Sequence, residues 1–79
     1  MPSGNSVVAE WKRRAAEYER IIATFEKIGN DMRARRKGAT DSVMAMIDER
    51  IELNDRTLKS MWLGLETVQK EIKRLEAKA

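Results

Sequence analysis

The second half of the chain reads MAMIDERIELNDRTLKSMWLGLETVQKEIKRLEAKA from Met44 to Ala79. Its apolar residues recur in alternating steps of three and four, and Asn54 is the one polar member of the series: Met44, Ile47, Ile51, Asn54, Leu58, Met61, Leu65, Val68, Ile72, Leu75 and Ala79. This spacing predicts one long helix with a heptad seam. The seam requires a partner helix, because a single helix cannot bury its own apolar stripe.

The first half of the chain carries a matching stripe, again in steps of three and four: Val8, Trp11, Ala15, Tyr18, Ile22, Phe25, Gly29 and Met32. Between the two stripes, Gly38 is suited to end one helix, and Thr40 or Asp41 is suited to cap the next. We therefore predict a disordered tail over residues 1–5, with Asn5 or Ser6 as the first N-cap. A single helical-hairpin domain follows over residues 6–79, with helices at about 7–36 and 41–78 and a loop at about 37–40.

Folding the hairpin about Gly38 brings the two stripes together in one register. Its predicted pairs include Gly29 with Ile47, Ile22 with Asn54, and Tyr18 with Leu58. In this register Ile72 and Leu75 face only the N-terminal tail. Gly29 and Gly64 are interpreted as packing notches, since each lies inside a strongly periodic segment.

Several apolar residues flank the seam and stay uncovered in a single hairpin: Ile21, Ile28, Val43, Leu53 and Trp62. A monomer of this size does not usually expose so much contiguous apolar surface. The fold prediction is therefore all-α: an antiparallel two-helix hairpin, coiled-coil-like, that self-associates into a helical bundle, most simply a dimeric four-helix bundle. The alternative is a single, nearly continuous helix in a parallel or antiparallel dimer.

The composition limits the chemistry that the chain can perform. Its 79 residues include no cysteine and no histidine, and the formal net charge is +3. Thiol nucleophiles, zinc–thiolate sites and histidine bases are thereby excluded. We predict no catalytic residue, no metal site and no cofactor, and hence a protein that is not an enzyme. The sequence also has no apolar run long enough to cross a bilayer and no secretory signal, so we expect no membrane association and a cytoplasmic location.

The predicted partner or oligomer interface lies mainly on the last third of the second helix. Trp62 is the leading residue, because it flanks the seam and tryptophan is enriched in binding hot spots. Asn54 is predicted to fix the oligomeric state by pairing with its symmetry mate. The complete predicted set is Asn54, Trp62, Leu65, Ile72 and Leu75.

A basic cluster near the loop comprises Arg33, Arg35, Arg36 and Lys37, and it is a possible contact for an anion or nucleic acid. The acids Asp48, Glu52 and Asp55 follow on one side of the second helix, where a solvated face is the expected role. The first functional prediction is a non-catalytic protein–protein interaction module, an adaptor, assembly or inhibitor protein that binds itself and an unidentified protein partner. The alternative is a dimeric nucleic-acid-binding accessory protein that uses the basic cluster, and a helical-bundle enzyme that grips an anionic substrate is the third candidate.

Overall fold

The computed structural model describes residues 4–78, with side chains from residue 6 onward, and it contains two long helices. Helix α1 spans Gly4–Arg36 and helix α2 spans Asp41–Lys78. The helices pack side by side along their length in a rod measuring 60 × 15 × 14 Å. The predicted all-α helical hairpin is confirmed.

The connection between the helices has the predicted chemistry. Gly38 has a φ of 80°, a left-handed conformation that residues with a β-carbon rarely adopt. The carbonyl of Thr40 accepts the first hydrogen bond of α2 from the backbone N–H of Met44, at 2.8 Å. Thr40 is therefore the N-cap of α2. The sharp reversal at Gly38 turns the chain back so that α2 returns along α1.

Helix α1 begins earlier than the sequence predicts. It starts at Gly4, so the proposed caps Asn5 and Ser6 lie inside its first turn rather than ahead of it. A helix leaves the same number of N–H groups without an intrahelical partner wherever it begins, and helix ends fray, so the sequence determines the first residue only weakly. Residues 1–3 of the predicted tail and Ala79 of the seam lie outside the described residues.

The predicted seam is the interface between the helices. Every seam position from Val8 to Met32 and from Met44 to Leu75 is buried or half-buried. A small cluster forms the core, and it contains Ala15, Ile22, Leu65 and Val68. Trp11, Tyr18 and Met61 pack against this cluster while keeping part of their surface in solvent. The core is therefore a single narrow layer.

The register of the seam differs from the predicted one by about one heptad. Gly29 lies against Asn54 instead of Ile47, and the ring of Tyr18 lies over Gly64, six positions beyond Leu58. Two heptad stripes match again after each shift of seven residues, so their periodicity alone does not choose between registers. The structure selects the register in which both glycines serve as notches, which confirms their predicted role.

The shift in register also changes the surroundings of the C-terminal seam residues. Ile72 packs against the core cluster, and Leu75 is half-buried. The prediction that both face only the N-terminal tail is therefore wrong. Relative to the fold about Gly38, α2 is displaced by about one heptad toward the loop, which brings these residues alongside the first turns of α1.

Across residues 4–78, neither helix contains a stretch that is both long and apolar enough to span a membrane.

Candidate interaction surfaces

The seam divides the hairpin surface into two flanks of different chemistry. On one flank, three ion pairs connect α1 to α2. They join Lys12 Nζ to Glu76 Oε2 at 3.3 Å, Arg33 Nη2 to Asp55 Oδ1 at 3.1 Å, and Arg36 Nε to Asp48 Oδ1 at 2.6 Å. We call this side the ion-paired flank, defined by Lys12, Arg33, Arg36, Asp48, Asp55 and Glu76.

The Arg36–Asp48 pair has the best geometry on this flank. The guanidinium of Arg36 donates two hydrogen bonds to the carboxylate, from Nε to Oδ1 and from Nη2 to Oδ2. These bonds lower the pKa of Asp48 and raise that of Arg36, because each charged form is favoured by its partner. Both side chains are about half exposed, so solvent screens the attraction and the pair orients the helices more than it stabilises them.

The ion pairs occupy much of the predicted basic and acidic clusters. Arg33 and Arg36 bind carboxylates of α2, whereas Arg35 and Lys37 make no ion pair within residues 6–78. The three acids of the predicted solvated face are each paired, since Glu52 binds Arg56 along the helix. Half of the basic cluster is thus neutralised, and across the described chain no acidic group is arranged to hold a metal ion.

Asn54 is buried in the seam, and its amide has a partner in its own chain. Its Nδ2 donates a hydrogen bond to the backbone carbonyl of Phe25 at 3.0 Å. A β-carbon at position 29 would lie 2.9 Å from the same nitrogen, so glycine is what allows this approach. With 6% of its surface exposed, the Asn54 side chain is buried within its own hairpin, and its pairing with a symmetry mate stays a prediction.

Of the remaining predicted interface residues, only Trp62 projects mainly into solvent. Leu65 is 3% exposed and belongs to the core, while Ile72 and Leu75 are half-buried between the helices. Trp62 is 52% exposed. It stands seven residues beyond Asp55, so it continues the row of α2 side chains that forms the ion-paired flank.

The opposite flank is apolar. Ile21 and Ile28 are seven residues apart on α1, as are Met46 and Leu53 on α2, and all four are exposed together with Val43. Arg35 continues the α1 row and lines one groove with Val43 and Met46, which places the two rows on the same side. We call this side the apolar flank, defined by Ile21, Ile28, Val43, Met46 and Leu53. The predicted exposure of the five seam-flanking residues is confirmed, but Trp62 lies on the other side from the rest.

Sequence reasoning did not place Met46 on this surface, although it is the most exposed large apolar residue of the described chain. The signal in the sequence is that Met46 stands seven residues before Leu53, a predicted flank residue, and so lies on the same face of α2. Leu63 was also missed. It is as exposed as Leu53 but points away from the seam and from both flanks.

Two shallow grooves shape the apolar flank. The first, of about 430 Å³, lies midway along the rod and is lined by Ile21, Tyr18 and Met61, with Arg14 and Glu17 at its edge. The second, of about 270 Å³, lies near the loop between Arg35 and Arg50. A third groove, of about 560 Å³, is on the ion-paired side of α2 and is lined mostly by charged residues. An apolar partner side chain is therefore best accommodated on the apolar flank.

The chain matches no protein-family model, and neither the curated proteins nor the solved structures include one that is detectably similar to it.

Proposed function

We propose that this protein is a non-catalytic protein–protein interaction module that works as a homodimer, with two hairpins packed into a four-helix bundle. As an adaptor, assembly or inhibitor protein it would use one surface for self-association and another for a foreign partner. A cytoplasmic location stays a prediction from the sequence.

The observation that carries the proposal is the area of the surface. The hairpin exposes 6254 Å². A compact monomer with the same mass of 9.1 kDa exposes about 4,900 Å². The excess of about 1,350 Å² is larger than the roughly 800 Å² that each partner buries in a typical specific interface.

The size of the core supports the same proposal. Only four hydrophobic residues are buried in the described chain, and no large side chain there is completely enclosed. A core of this size gives little stability, and small scaffolds commonly gain the rest by oligomerising. The five residues of the apolar flank would supply a second apolar layer in a dimer.

Sedimentation equilibrium of the full chain tests the proposal. We expect the mass of two chains at micromolar concentration, with dissociation on dilution. The unfolding midpoint should rise with protein concentration, because only the folded chain dimerises. A mass of one chain at every concentration, with a midpoint independent of concentration, would refute the homodimer.

A further inference from the structure

We infer that a second copy of the chain docks on the apolar flank in antiparallel orientation, with Met46 of each hairpin in the partner's groove beside Ile21 and Met61. The ion-paired flank with Trp62 then remains on the outside of the dimer. This inference rests on the proposed homodimer and specifies its interface, which the proposed function leaves open.

The choice of flank follows from what each surface loses on becoming buried. The ion-paired flank carries three pairs of charged side chains, each about half exposed, and covering it would remove their water. Desolvating such pairs costs more than their attraction returns unless the geometry is excellent. The apolar flank gains free energy when its five side chains leave water. A second copy is therefore favoured on the apolar side.

The orientation follows from the charges near the loop. Arg35 and Arg50 border the apolar flank there and make no ion pair within residues 6–78. A parallel dimer would set these arginines beside their own copies, and like charges in an interface oppose association. An antiparallel dimer separates the two loops and moves each pair of arginines away from its own copy, toward the middle of the partner, where one acid, Glu17, and one base, Arg14, border the groove.

In this orientation the Met46 side chain of one hairpin and the groove at Ile21 of the other are complementary in shape. Met46 is a long, flexible side chain that is 57% exposed beside the loop, and the groove at Ile21 is the larger of the two on this flank. Methionine adapts to irregular apolar hollows. A two-fold axis relates two identical contacts, because each hairpin supplies one Met46 and one groove.

Disulfide trapping distinguishes this arrangement from others, because the natural chain has no cysteine. Position 21 lies beside Met61 in the groove, and Met61 is fifteen residues, or about 22 Å, beyond Met46 along α2. Positions 46 and 21 of one hairpin are therefore too far apart for a disulfide. A chain with Met46→Cys and a chain with Ile21→Cys are mixed and oxidised. We expect the mixed disulfide to form at least about ten times faster than either homodisulfide.

The result that overturns the inference is a dominant disulfide between two Met46→Cys chains, which indicates a parallel dimer. A Trp62→Cys chain is the control for the other flank, and its rapid homodisulfide formation would place the interface there. Both outcomes leave the proposed homodimer standing. A wild-type chain that sediments as a monomer refutes the proposed function and the inference together.

A matched pair of substitutions gives a second, equilibrium test. Leu53 and Leu63 are exposed by 55% and 56% on the same helix, but only Leu53 belongs to the apolar flank. Leu53→Glu is expected to weaken dimerisation about 100-fold, since it buries an unpaired carboxylate, whereas Leu63→Glu should leave the dissociation constant within about threefold. Equal effects of the two substitutions would contradict the assignment. Circular dichroism establishes that both variants keep their helices.

Discussion

The two flanks of this hairpin share one seam but satisfy their side chains in different ways. On the ion-paired flank, charges of α1 meet opposite charges of α2 within the same chain. On the apolar flank, the five defining residues each keep 40–57% of their surface exposed. The ion-paired flank thus satisfies its charges within a single hairpin, while the apolar flank leaves much of its apolar surface in contact with water.

This difference shows why composition alone is a poor guide to a binding surface. Trp62 is the side chain that residue preferences favour for an interface. It is well exposed but isolated among ion pairs, whereas the less conspicuous Ile21, Ile28 and Met46 share a continuous side with further apolar neighbours. Residue preferences therefore point to Trp62, whereas contiguous exposed apolar area points to the opposite flank.

The largest expected effect comes from breaking the seam on which both flanks depend. Leu65→Ala removes a side chain that is 3% exposed in the core, and it should lower the free energy of unfolding. The expected loss is about 3 kcal/mol, from the buried methyl groups and the cavity that remains. Urea unfolding followed by circular dichroism measures it. The exposed neighbour Leu63→Ala should change it by less than about 0.5 kcal/mol, and similar losses from both would show that the seam is assigned wrongly.

The second effect concerns the alignment of the flanks. Asn54→Leu removes the hydrogen bond to the Phe25 carbonyl and makes the position apolar while keeping it filled. We expect little change in stability but a loss of register specificity, as when a single buried polar residue is removed from a coiled-coil seam. A register shifted by one heptad would separate Arg33 from Asp55 and so disrupt the ion-paired flank.

Two engineered cysteine pairs measure this register directly. Ala15→Cys with Val68→Cys reports the register seen in the structure, and Ala15→Cys with Met61→Cys reports the one predicted by folding about Gly38. In the natural background the first pair should oxidise much faster. Adding Asn54→Leu should raise the relative rate of the second pair. If the ratio of the two rates does not move, Asn54 does not set the register.

The register also marks the limit of what the sequence could predict. The heptad stripes, the reversal at Gly38 and the exposed flank residues all follow from local spacing and conformational preference, and the structure has each of them. The register depends on two contacts between distant residues, Asn54 with Phe25 and Tyr18 with Gly64. Periodicity cannot show these contacts, because stripes that repeat every seven residues match in more than one alignment.

The candidate surface was predictable in part for the same reason. Exposure beside the seam is a local property, so Ile21, Ile28, Val43, Leu53 and Trp62 were identified from their positions. Burial at the end of α2 depends on the register, and the sequence therefore assigned Ile72 and Leu75 to an open surface. The structure covers both of them partly with α1.

A smaller effect tests whether the ion pairs contribute specifically to their flank. Arg33→Glu places a like charge beside Asp55, and it should reduce the stability of the hairpin by about 1 kcal/mol or less. Adding Asp55→Arg to the same chain restores an opposite pair and should recover most of the loss. A double-mutant cycle in urea gives the coupling. If the stability change of the double variant equals the sum of the changes in the two single variants, the two side chains are close together but do not stabilise each other.

The smallest effect is the response of the ion-paired flank to acid. The hydrogen bond from Arg36 lowers the pKa of Asp48 below its ordinary value, so the folded chain holds this carboxylate ionised more readily than the unfolded chain does. Its contribution to stability is fully present above the unfolded pKa of about 4 and is lost as the pH falls through the lower, folded value. The raised pKa of Arg36 has no consequence in this range, because arginine is charged throughout.

Urea midpoints measured from pH 6 down to pH 2 should therefore fall less in Asp48→Asn than in the natural chain. Identical curves for the two chains would mean that the Arg36–Asp48 contact adds nothing to the stability of its flank.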